Sequence, residues 1–418
     1  MITRFTILTP AARLGLAALA LLATAGCMPP EFNPHPTTSE ADSLTDAVQL
    51  THNFARAGEA YFSPDMRWII FQASVQPNEP YQMYLAQLKW SGEQLTGVDT
   101  PIRITPSPSW NSCGFFSPDG NSVIFSSTAL HPQQHEAAGG YQRDRRSYRW
   151  SMPDTAEIFR ADGWRAAIAA VPLGGSVDLA KFPITQDDVH EAECSYSPDG
   201  KWIVFASRVN DMPLTPPPPP PAPVGELLSK NPSTQPAAPP RANIELFVMR
   251  PDGSQRTRLT RVAGYDGGPF FSPDGKRLVY RSDRKGNDLL QIFTADLVFD
   301  ATGNITGLAH ERQLTHDANV NWGPYWHPDG HHLIWATSIH GHTNYELYLM
   351  RDDGTHKTRV TFTGQNVADL LPVFSPDGKW LMWTSQRGPE RVADPADPSK
   401  TRPVSEIWAA RFRMPKGS

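Results

Sequence analysis

Five histidines lie close together in one stretch of the sequence and could ligate a transition metal. The stretch reads "HPDGHHLIWATSIHGH" and supplies His327, His331, His332, His340 and His342. A predicted strand of about six residues separates the first three from the last two, which is roughly 20 Å at 3.3 Å per residue. We therefore expect the two groups at opposite ends of the strand and predict no metal site.

Residue patterns of other catalytic classes are missing from the sequence. There is no G-x-S-x-G segment, and "GGSVD" at Gly174 fails at its last position. There is also no phosphate-binding glycine loop and no Cys-x-x-Cys. We predict no catalytic residue and no cofactor.

A basic and aromatic segment, "YQRDRRSYRW", is a candidate binding loop. Arg145 and Arg146 could donate hydrogen bonds to an anionic glycan or phosphate, and Tyr148 and Trp150 offer flat faces for stacking. The alternative is a loop packed across a neighbouring repeat with solvated arginines.

The phrase Ser-Pro-Asp-Gly, or a close variant, occurs six times and must be held by a repeated structure. The motif aspartates are Asp65, Asp119, Asp199, Asp274, Asp329 and Asp377. Ser at the first position, Pro at the second and a left-handed Gly predict a type I turn between two short strands. Met66 replaces the Gly in the first copy, and we expect that turn to be the least regular.

Two further strands follow each turn, one resembling "ELY" or "EIF" and one ending in "LT". Without two insertions, at 129–155 and 209–242, the unit is about 50 residues, the size of one propeller blade. One copy of the fourth-strand ending, "QLT", comes before the first motif, whereas no fourth strand follows the third strand of the last repeat. The prediction is an all-β, six-bladed propeller of four-stranded blades over residues 45–413, closed by the N-terminal strand and followed by a tail at 414–418.

These units resemble the WD-like propeller repeats of TolB and of TolB-like bacterial lipoproteins. The resemblance implies an envelope protein without catalysis, with peptidoglycan-associated lipoprotein as a possible partner. TolB also has an N-terminal α/β domain, and only about 20 residues lie here between Cys27 and the first strand, so we expect that domain to be absent. The competing hypothesis is a metal-dependent uronate lyase, because some propeller lyases use histidine-bound metal.

The first residues resemble a bacterial lipoprotein signal. Arg4 and Arg13 precede an apolar run that ends in "LLATAGC", which predicts a signal peptide over residues 1–27 and lipidation of Cys27. Residues 28–44 would be a linker, and Met28 favours the outer membrane. Thr24 is unusual for such a site, so cleavage after "ATA" and secretion is the alternative.

A polar residue recurs eight positions before five of the six motif aspartates: Asn111, Glu191, Asp266, Asn321 and Asp369, with Ala57 in the first repeat. In a propeller this position enters the innermost strand, so these side chains predict a polar ring at the channel mouth. The long insertions open onto the same face, which is typical of a binding face. Alternatively, the side chains cap the turns that enter the strands.

Charge and cysteine content narrow the function further. The net charge of −5 gives no indication of a basic surface that would bind nucleic acid. We also expect a monomer. Cys113 and Cys194 differ by one position relative to their motifs, which argues against a disulfide. The run "PPPPPP" at 216–221 indicates an exposed polyproline spacer.

Overall fold

The structure is a computed structural model. It describes residues 32–33, 35–132, 140–143, 148–151, 153, 155–210, 243–394 and 397–418. Cys27, Arg145, Arg146 and the proline run lie outside the described residues.

Six antiparallel sheets form the six blades of a β-propeller, which confirms the predicted fold class. We number the blades 1 to 6 in the order of their motif turns along the chain. Along the chain the first elements are a 3₁₀ turn (Glu40–Asp42), β1 (Leu44–Gln49), β2 (Arg56–Phe62), β3 (Trp68–Ser74), β4 (Gln82–Ser91), β5 (Gln94–Val98), β6 (Ile102–Arg103), β7 (Asn111–Phe116), β8 (Ser122–Ser127), β9 (Gly140–Arg143), β10 (Tyr148–Ser151), β11 (Glu157–Asp162) and α1 (Trp164–Ile168).

The later blades follow the same order. Their strands are β12 (Glu191–Tyr196), β13 (Ile203–Val209), β14 (Asn243–Met249), β15 (Thr257–Arg258), β16 (Asp266–Phe271), β17 (Arg277–Ser282), β18 (Gln291–Phe299), β19 (Ile305–Gln313), β20 (Asn321–Trp326), β21 (His332–Thr337), β22 (Glu346–Arg351), β23 (Thr358–Arg359), β24 (Asp369–Phe374), β25 (Trp380–Ser385), β26 (Arg391–Asp394), β27 (Asp397–Pro403) and β28 (Glu406–Phe412).

Strand β1 closes the ring. It pairs antiparallel with β28, with Leu44 opposite Phe412 and Val48 opposite Ala409. The sheet order β1-β28-β25-β24 makes β1 the outer strand of blade 6, as predicted. Closure removes the open sheet edges that an unclosed stack of blades would expose.

Blade 2 departs from the four-stranded pattern. Its regular sheet has three strands, and the predicted fourth strand pairs through a single bridge between Phe159 and Pro183. The backbone bonds of this bridge lie on either side of Pro183: the Arg160 N–H donates to the Phe182 carbonyl (3.0 Å) and the Ile184 N–H to the Ile158 carbonyl (2.8 Å). The connection before Pro183 contains α1.

The repeated turn is held by its own Ser and Asp. In the first copy the Ser63 hydroxyl donates to Asp65 Oδ1 (2.6 Å) and accepts from the Trp68 N–H (2.9 Å). Met66 does adopt a left-handed conformation, with φ of 56°. The expectation that this turn is the least regular is nevertheless wrong: the first copy makes the same bonds as Ser272 and Asp274 of the fourth, whereas in the fifth copy His327 replaces the Ser that makes them.

A second repeated contact fastens the outer strand of each blade. The buried Glu or Gln that begins the third strand accepts a hydrogen bond from the Thr of the "LT" ending, as in Glu346 with Thr361 (2.7 Å) and Glu157 with Thr185 (2.6 Å). The same Thr oxygen accepts the next N–H of the third strand, for example that of Leu347 (2.9 Å). Glu406 and Thr51 make this contact (2.5 Å) across the closing pair of strands. The recurring "E" and "LT" are therefore one structural unit.

The two faces of the propeller differ. Each innermost strand begins on one face of the propeller, and the connections between second and third strands lie on the same face, which we call the insertion face. The Ser-Pro-Asp-Gly turns lie on the opposite face, which we call the turn face. The hairpins β9–β10 and β26–β27 belong to the insertion face. Within the described part of the chain, no helix has the length and apolar character of a membrane-spanning segment.

Candidate functional site

The residues of the predicted polar ring begin the innermost strands, and their side chains are buried. Each accepts a hydrogen bond from the second strand of its own blade in blades 2, 3 and 6: Asn111 from Ser127 (2.6 Å), Glu191 from Ser207 (3.1 Å) and Asp369 from Ser385 (2.5 Å). In blade 5, Asn321 accepts from the Trp335 indole (2.9 Å). A ligand-binding role for these residues stays a prediction.

An arginine stands beside each carboxylate of this ring. Arg256 pairs with Glu191, Arg284 with Asp266 (3.3 Å) and Arg387 with Asp369 (2.6 Å). These arginine side chains are 17–25% exposed, so they face the solvent where the acids do not. Sequence reasoning missed them, although "SDR" and "SQR" at the end of the second strands of blades 4 and 6 are a visible signal.

A bulge two residues further along turns another set of side chains into the channel. In every blade the pairing of the innermost strand shifts at this point. The residue at the bulge has φ between 48° and 58° in all six blades: Glu59, Cys113, Glu193, Gly268, Gly323 and Leu371. This left-handed conformation is rare outside glycine, yet four blades place a side chain there. The bulges thus define the channel lining.

Glu193 is fully paired within the channel. Its carboxylate accepts hydrogen bonds from the Tyr265 hydroxyl (2.7 Å) and the Gly268 N–H (2.7 Å), and it forms an ion pair with Arg281. A Cβ on Gly268 would lie 2.1 Å from the Arg281 guanidinium, and one on Gly267 would lie 2.2 Å from the Tyr265 hydroxyl. The "GG" of blade 4 therefore makes room for this cluster.

Glu59 occupies the equivalent position in blade 1 without such a partner. No described cation forms an ion pair with it, although the charge of the nearby Arg281 favours its ionised form. Burial raises the pKa of Glu59 to about 7, with the Glu193 charge adding to the effect. Near neutral pH this carboxyl changes its charge.

The channel has little free volume beside these groups. The cavity lined by Glu59, Cys113, Glu193 and Arg281 measures about 20 Å³, enough for about one water molecule. Aromatic rings pack against one another on the turn-face side: Tyr61 lies 4.9 Å from Phe115, and Phe270 lies 4.9 Å from Tyr325. This cavity is therefore too small for a substrate.

Two cysteines line the same cavity. Cys113 and Cys194 are buried and free, as expected. Burial, followed by the nearby Glu59 charge, raises the pKa of the Cys113 thiol. A protonated thiol is a poor nucleophile.

The histidines fall into the two groups that the sequence predicts. His327 and His332 both contact Asp329 at the blade 5 turn (3.1 and 2.7 Å). His340 lies beyond strand β21 and hydrogen-bonds Tyr348 (2.7 Å). Among the described residues no group of three or more His, Cys, Asp or Glu could hold a metal ion.

The remaining candidate loop is described only in part. Tyr148 and Trp150 lie on β10, which pairs with β9 in a hairpin on the insertion face. Their role in binding remains a prediction.

Comparison with known proteins places the repeats in context. No family model matches the chain. A TolB homolog of Chlorobium luteolum is 32% identical over 144 residues, 34% of this chain and 29% of the relative, and the Tol-Pal system protein TolB of Wolinella succinogenes is 27% identical over 36% of this chain and 33% of the relative. The chain therefore spans about a third of the length of these curated relatives.

A TolB protein is also among the similar solved structures. TolB from Acinetobacter baumannii aligns with a TM-score of 0.46 and 17% identity over 88% of this chain and 66% of that one. With its six blades and these sequence relatives, the chain is a TolB-like β-propeller protein.

Proposed function

We propose that this chain is a non-catalytic binding protein of the bacterial envelope, and that its insertion face recognises the partner. The observation that carries the proposal is the concentration of insertions on one face. The hairpins β9–β10 and β26–β27 both lie between second and third strands, so both belong to the insertion face. Insertions on one face of a repeat protein are typical of its binding surface.

The charge at the channel mouth supports this choice of face. Glu59 lies in the channel without an ion-pair partner among the described residues, while the neighbouring Glu193 is already neutralised by Arg281. A cationic side chain of a partner would supply the missing charge at the mouth. Such a contact would strengthen as Glu59 loses its proton.

The location and partner follow from similarity. Two of the relatives are TolB proteins, and one of these is named as part of the Tol-Pal system, which supports a periplasmic location and an envelope partner. We take peptidoglycan-associated lipoprotein as the leading candidate. Cys27 would carry a lipid anchor in the outer membrane.

Calorimetry with purified peptidoglycan-associated lipoprotein tests the partner and the face together. We expect binding by the wild type and a loss of at least tenfold when residues 391–403 are replaced by a short Gly-Ser turn. The matched control is Lys276→Glu, which changes charge on the turn face and should bind normally. Equal affinity of the shortened variant and the control would assign binding to another surface. No binding by any of them would require another partner, to be sought by capture from an envelope extract.

Two measurements address the rest of the proposal. Mass spectrometry of the mature N-terminus should find a lipid on Cys27 that is absent in Cys27→Ala; an unmodified N-terminus beginning at Gly26 would establish secretion instead. Metal analysis separates the lyase alternative, since a stoichiometric transition metal together with eliminase activity on oligouronates would contradict a non-catalytic role.

A further inference from the structure

On the turn face, side chains fill the grooves between several pairs of neighbouring blades. The Trp90 indole donates to the Met66 carbonyl (3.1 Å) and packs on Trp380 of blade 6, 5.5 Å away. Between blades 1 and 2, the Trp164 indole of α1 donates to the Gly120 carbonyl (3.1 Å). Between blades 4 and 5, Arg277 donates to the Gly330 carbonyl (2.9 Å). A large side chain occupies each of these grooves.

The groove between blades 2 and 3 is open. Three residues after the motif aspartate, blade 2 has Ser122, whereas the other blades have Trp68, Trp202, Arg277, His332 and Trp380. A cavity of about 570 Å³ lies at this place, within the range of about 300–1,000 Å³ typical of small-molecule sites. Its lining includes Ser122, Arg160, Tyr196 and the motif aspartates Asp119 and Asp199.

Tyr196 brings a buried hydroxyl to this cavity. Its side chain is only 6% exposed, and the hydroxyl has no hydrogen-bond partner among the described residues. The equivalent residues of the other blades are Phe62, Phe116, Phe271, Trp326 and Phe374, so the fold itself does not need a hydroxyl here. Burial raises the pKa of Tyr196, and the group stays a hydrogen-bond donor. Leaving such a group unpaired is unfavourable unless a ligand or water pairs it.

Arg160 and the two motif aspartates are fixed around the hydroxyl. Arg160 donates Nε to Asp162 (2.8 Å) and Nη1 to the Pro251 carbonyl (3.1 Å), so its guanidinium is held at the cavity wall. Asp119 and Asp199 each use one oxygen inside their own turn, with Ser117 (2.6 Å) and Ser197 (2.7 Å). Their second oxygens are near Asn121 (2.9 Å) and the Lys201 ammonium (3.3 Å).

We propose that this groove, which we call the blade 2–3 groove, binds a neutral saccharide. The lining combines a hydroxyl, a guanidinium and carboxylate acceptors, which match the alternating donors and acceptors of a sugar ring, and Pro118 and Pro251 offer apolar surface to its C–H face. An anionic sugar is disfavoured because the two aspartates outnumber the one arginine, which Asp162 already pairs. A cationic sugar is disfavoured because Asn121 and Lys201 already contact the second carboxylate oxygens.

Two variants taken from the protein's own repeats test this proposal. Tyr196→Phe removes only the hydroxyl and installs the residue that four other blades use. Ser122→Trp fills the groove with the residue of blades 1, 3 and 6. Lys379→Ala, on the exposed blade 6 turn, is the control. Binding is measured by saturation-transfer NMR and titration with glucose, N-acetylglucosamine, glucosamine and glucuronate.

The expected result is millimolar binding of a neutral sugar by the wild type and by Lys379→Ala. Tyr196→Phe should weaken it by about fivefold or more, and Ser122→Trp should abolish it while remaining folded. Unchanged binding in both groove variants would overturn the proposal. So would the absence of binding by either neutral sugar, or tighter binding of glucosamine or glucuronate. The outcome does not depend on the insertion-face partner, because the two sites lie on opposite faces.

Discussion

Glu59 and Glu193 occupy the same position in blades 1 and 3, yet only one of the two carboxylates has an ion-pair partner among the described residues. Both stand on the bulge of an innermost strand, with φ of 48° and 58°. Glu193 is held by Arg281, Tyr265 and the Gly268 N–H, whereas Glu59 has no ion-pair partner among the described residues and feels the Arg281 charge only from a distance. One glutamate is paired within the structure, and the other is the one that our proposal assigns to a partner.

The difference shows how a repeat architecture separates stability from function. The bulge is a property of the blade, so any residue placed there projects into the channel. The neighbouring blades decide what that residue does: the two glycines of blade 4 admit Arg281 beside Glu193. Binding specificity can therefore change at one blade without altering the fold.

Removal of Arg281 should have the largest effect on this comparison. Arg281→Met leaves Glu193 as a buried charge, and breaking a buried pair in this way lowers the free energy of unfolding by about 3–5 kcal/mol. Urea unfolding measures the change, with the exposed Arg67→Met as the control. A loss below about 1 kcal/mol would mean that Glu193 is solvated or protonated without its partner.

Glu193→Gln should have a smaller effect. The amide oxygen can still accept from Tyr265 and the Gly268 N–H, but a charged hydrogen-bond partner of Arg281 is lost, so we expect about 1.5–3 kcal/mol. The same variant removes a charge that raises the pKa of Glu59. NMR titration of Glu59 should consequently show its pKa below the wild-type value; an unchanged pKa would show that the two carboxylates do not interact.

Glu59→Gln should change the pH dependence of stability rather than its maximum. Because folding raises the pKa of Glu59 from 4.5 to about 7, its contribution is fully present below about pH 4.5 and is lost as the pH rises through about 7. The melting temperature of the wild type should therefore decrease as the pH rises from about 5 to about 8, and the decrease should be smaller in Glu59→Gln. Glu191 and Glu406, with pKa values raised to about 7 mainly by burial, should retain part of the slope.

The exposed Glu93→Gln is the matched control for this measurement. Its melting curve should follow the wild type at every pH. If Glu59→Gln does the same, Glu59 is ionised across the range and its environment is more polar than the structure indicates.

Leu371→Gly should have the smallest effect. Leu371 holds the bulge position of blade 6 with φ of 52°, a conformation that glycine adopts without strain. Relief of that strain offsets the lost packing of a partly exposed side chain, so thermal unfolding should stay within about 1 kcal/mol of the wild type. A larger loss would give Leu371 a packing role in the channel.

The sequence predicts the fold well because the signals are local and repeated. A Ser, a Pro and an Asp within three residues predict most of the turns, and the six copies together identify the two whose residues depart from the pattern, at Met66 and His327. The closing role of β1 follows from counting strands. The exception in blade 2 was not predicted, because "FPIT" resembles the fourth-strand endings of the other blades and the sequence does not show how far each ending pairs.

The channel site could not be predicted in the same way. A bulge changes which way a side chain points, and only the pairing of β12 with β13 reveals that Glu193 faces the channel. Arg281 reaches Glu193 from the next blade, a contact that no spacing indicates. One usable signal was present: Pro269, Pro324 and Pro372 interrupt the innermost strands of blades 4 to 6, and a proline inside a strand often marks a bulge.

The pairing of β1 with β28 has a consequence for the order in which the molecule assembles. Leu44 meets Phe412, so the final seam joins segments separated by nearly the whole chain, and such long-range pairing is slow to form. If the chain is exported from its N-terminus, β1 waits unpaired until β28 has crossed the membrane, and during that interval both are edges open to misassembly. Once formed, the seam should delay global unfolding, because no blade can leave the ring without breaking contacts with a neighbour on each side.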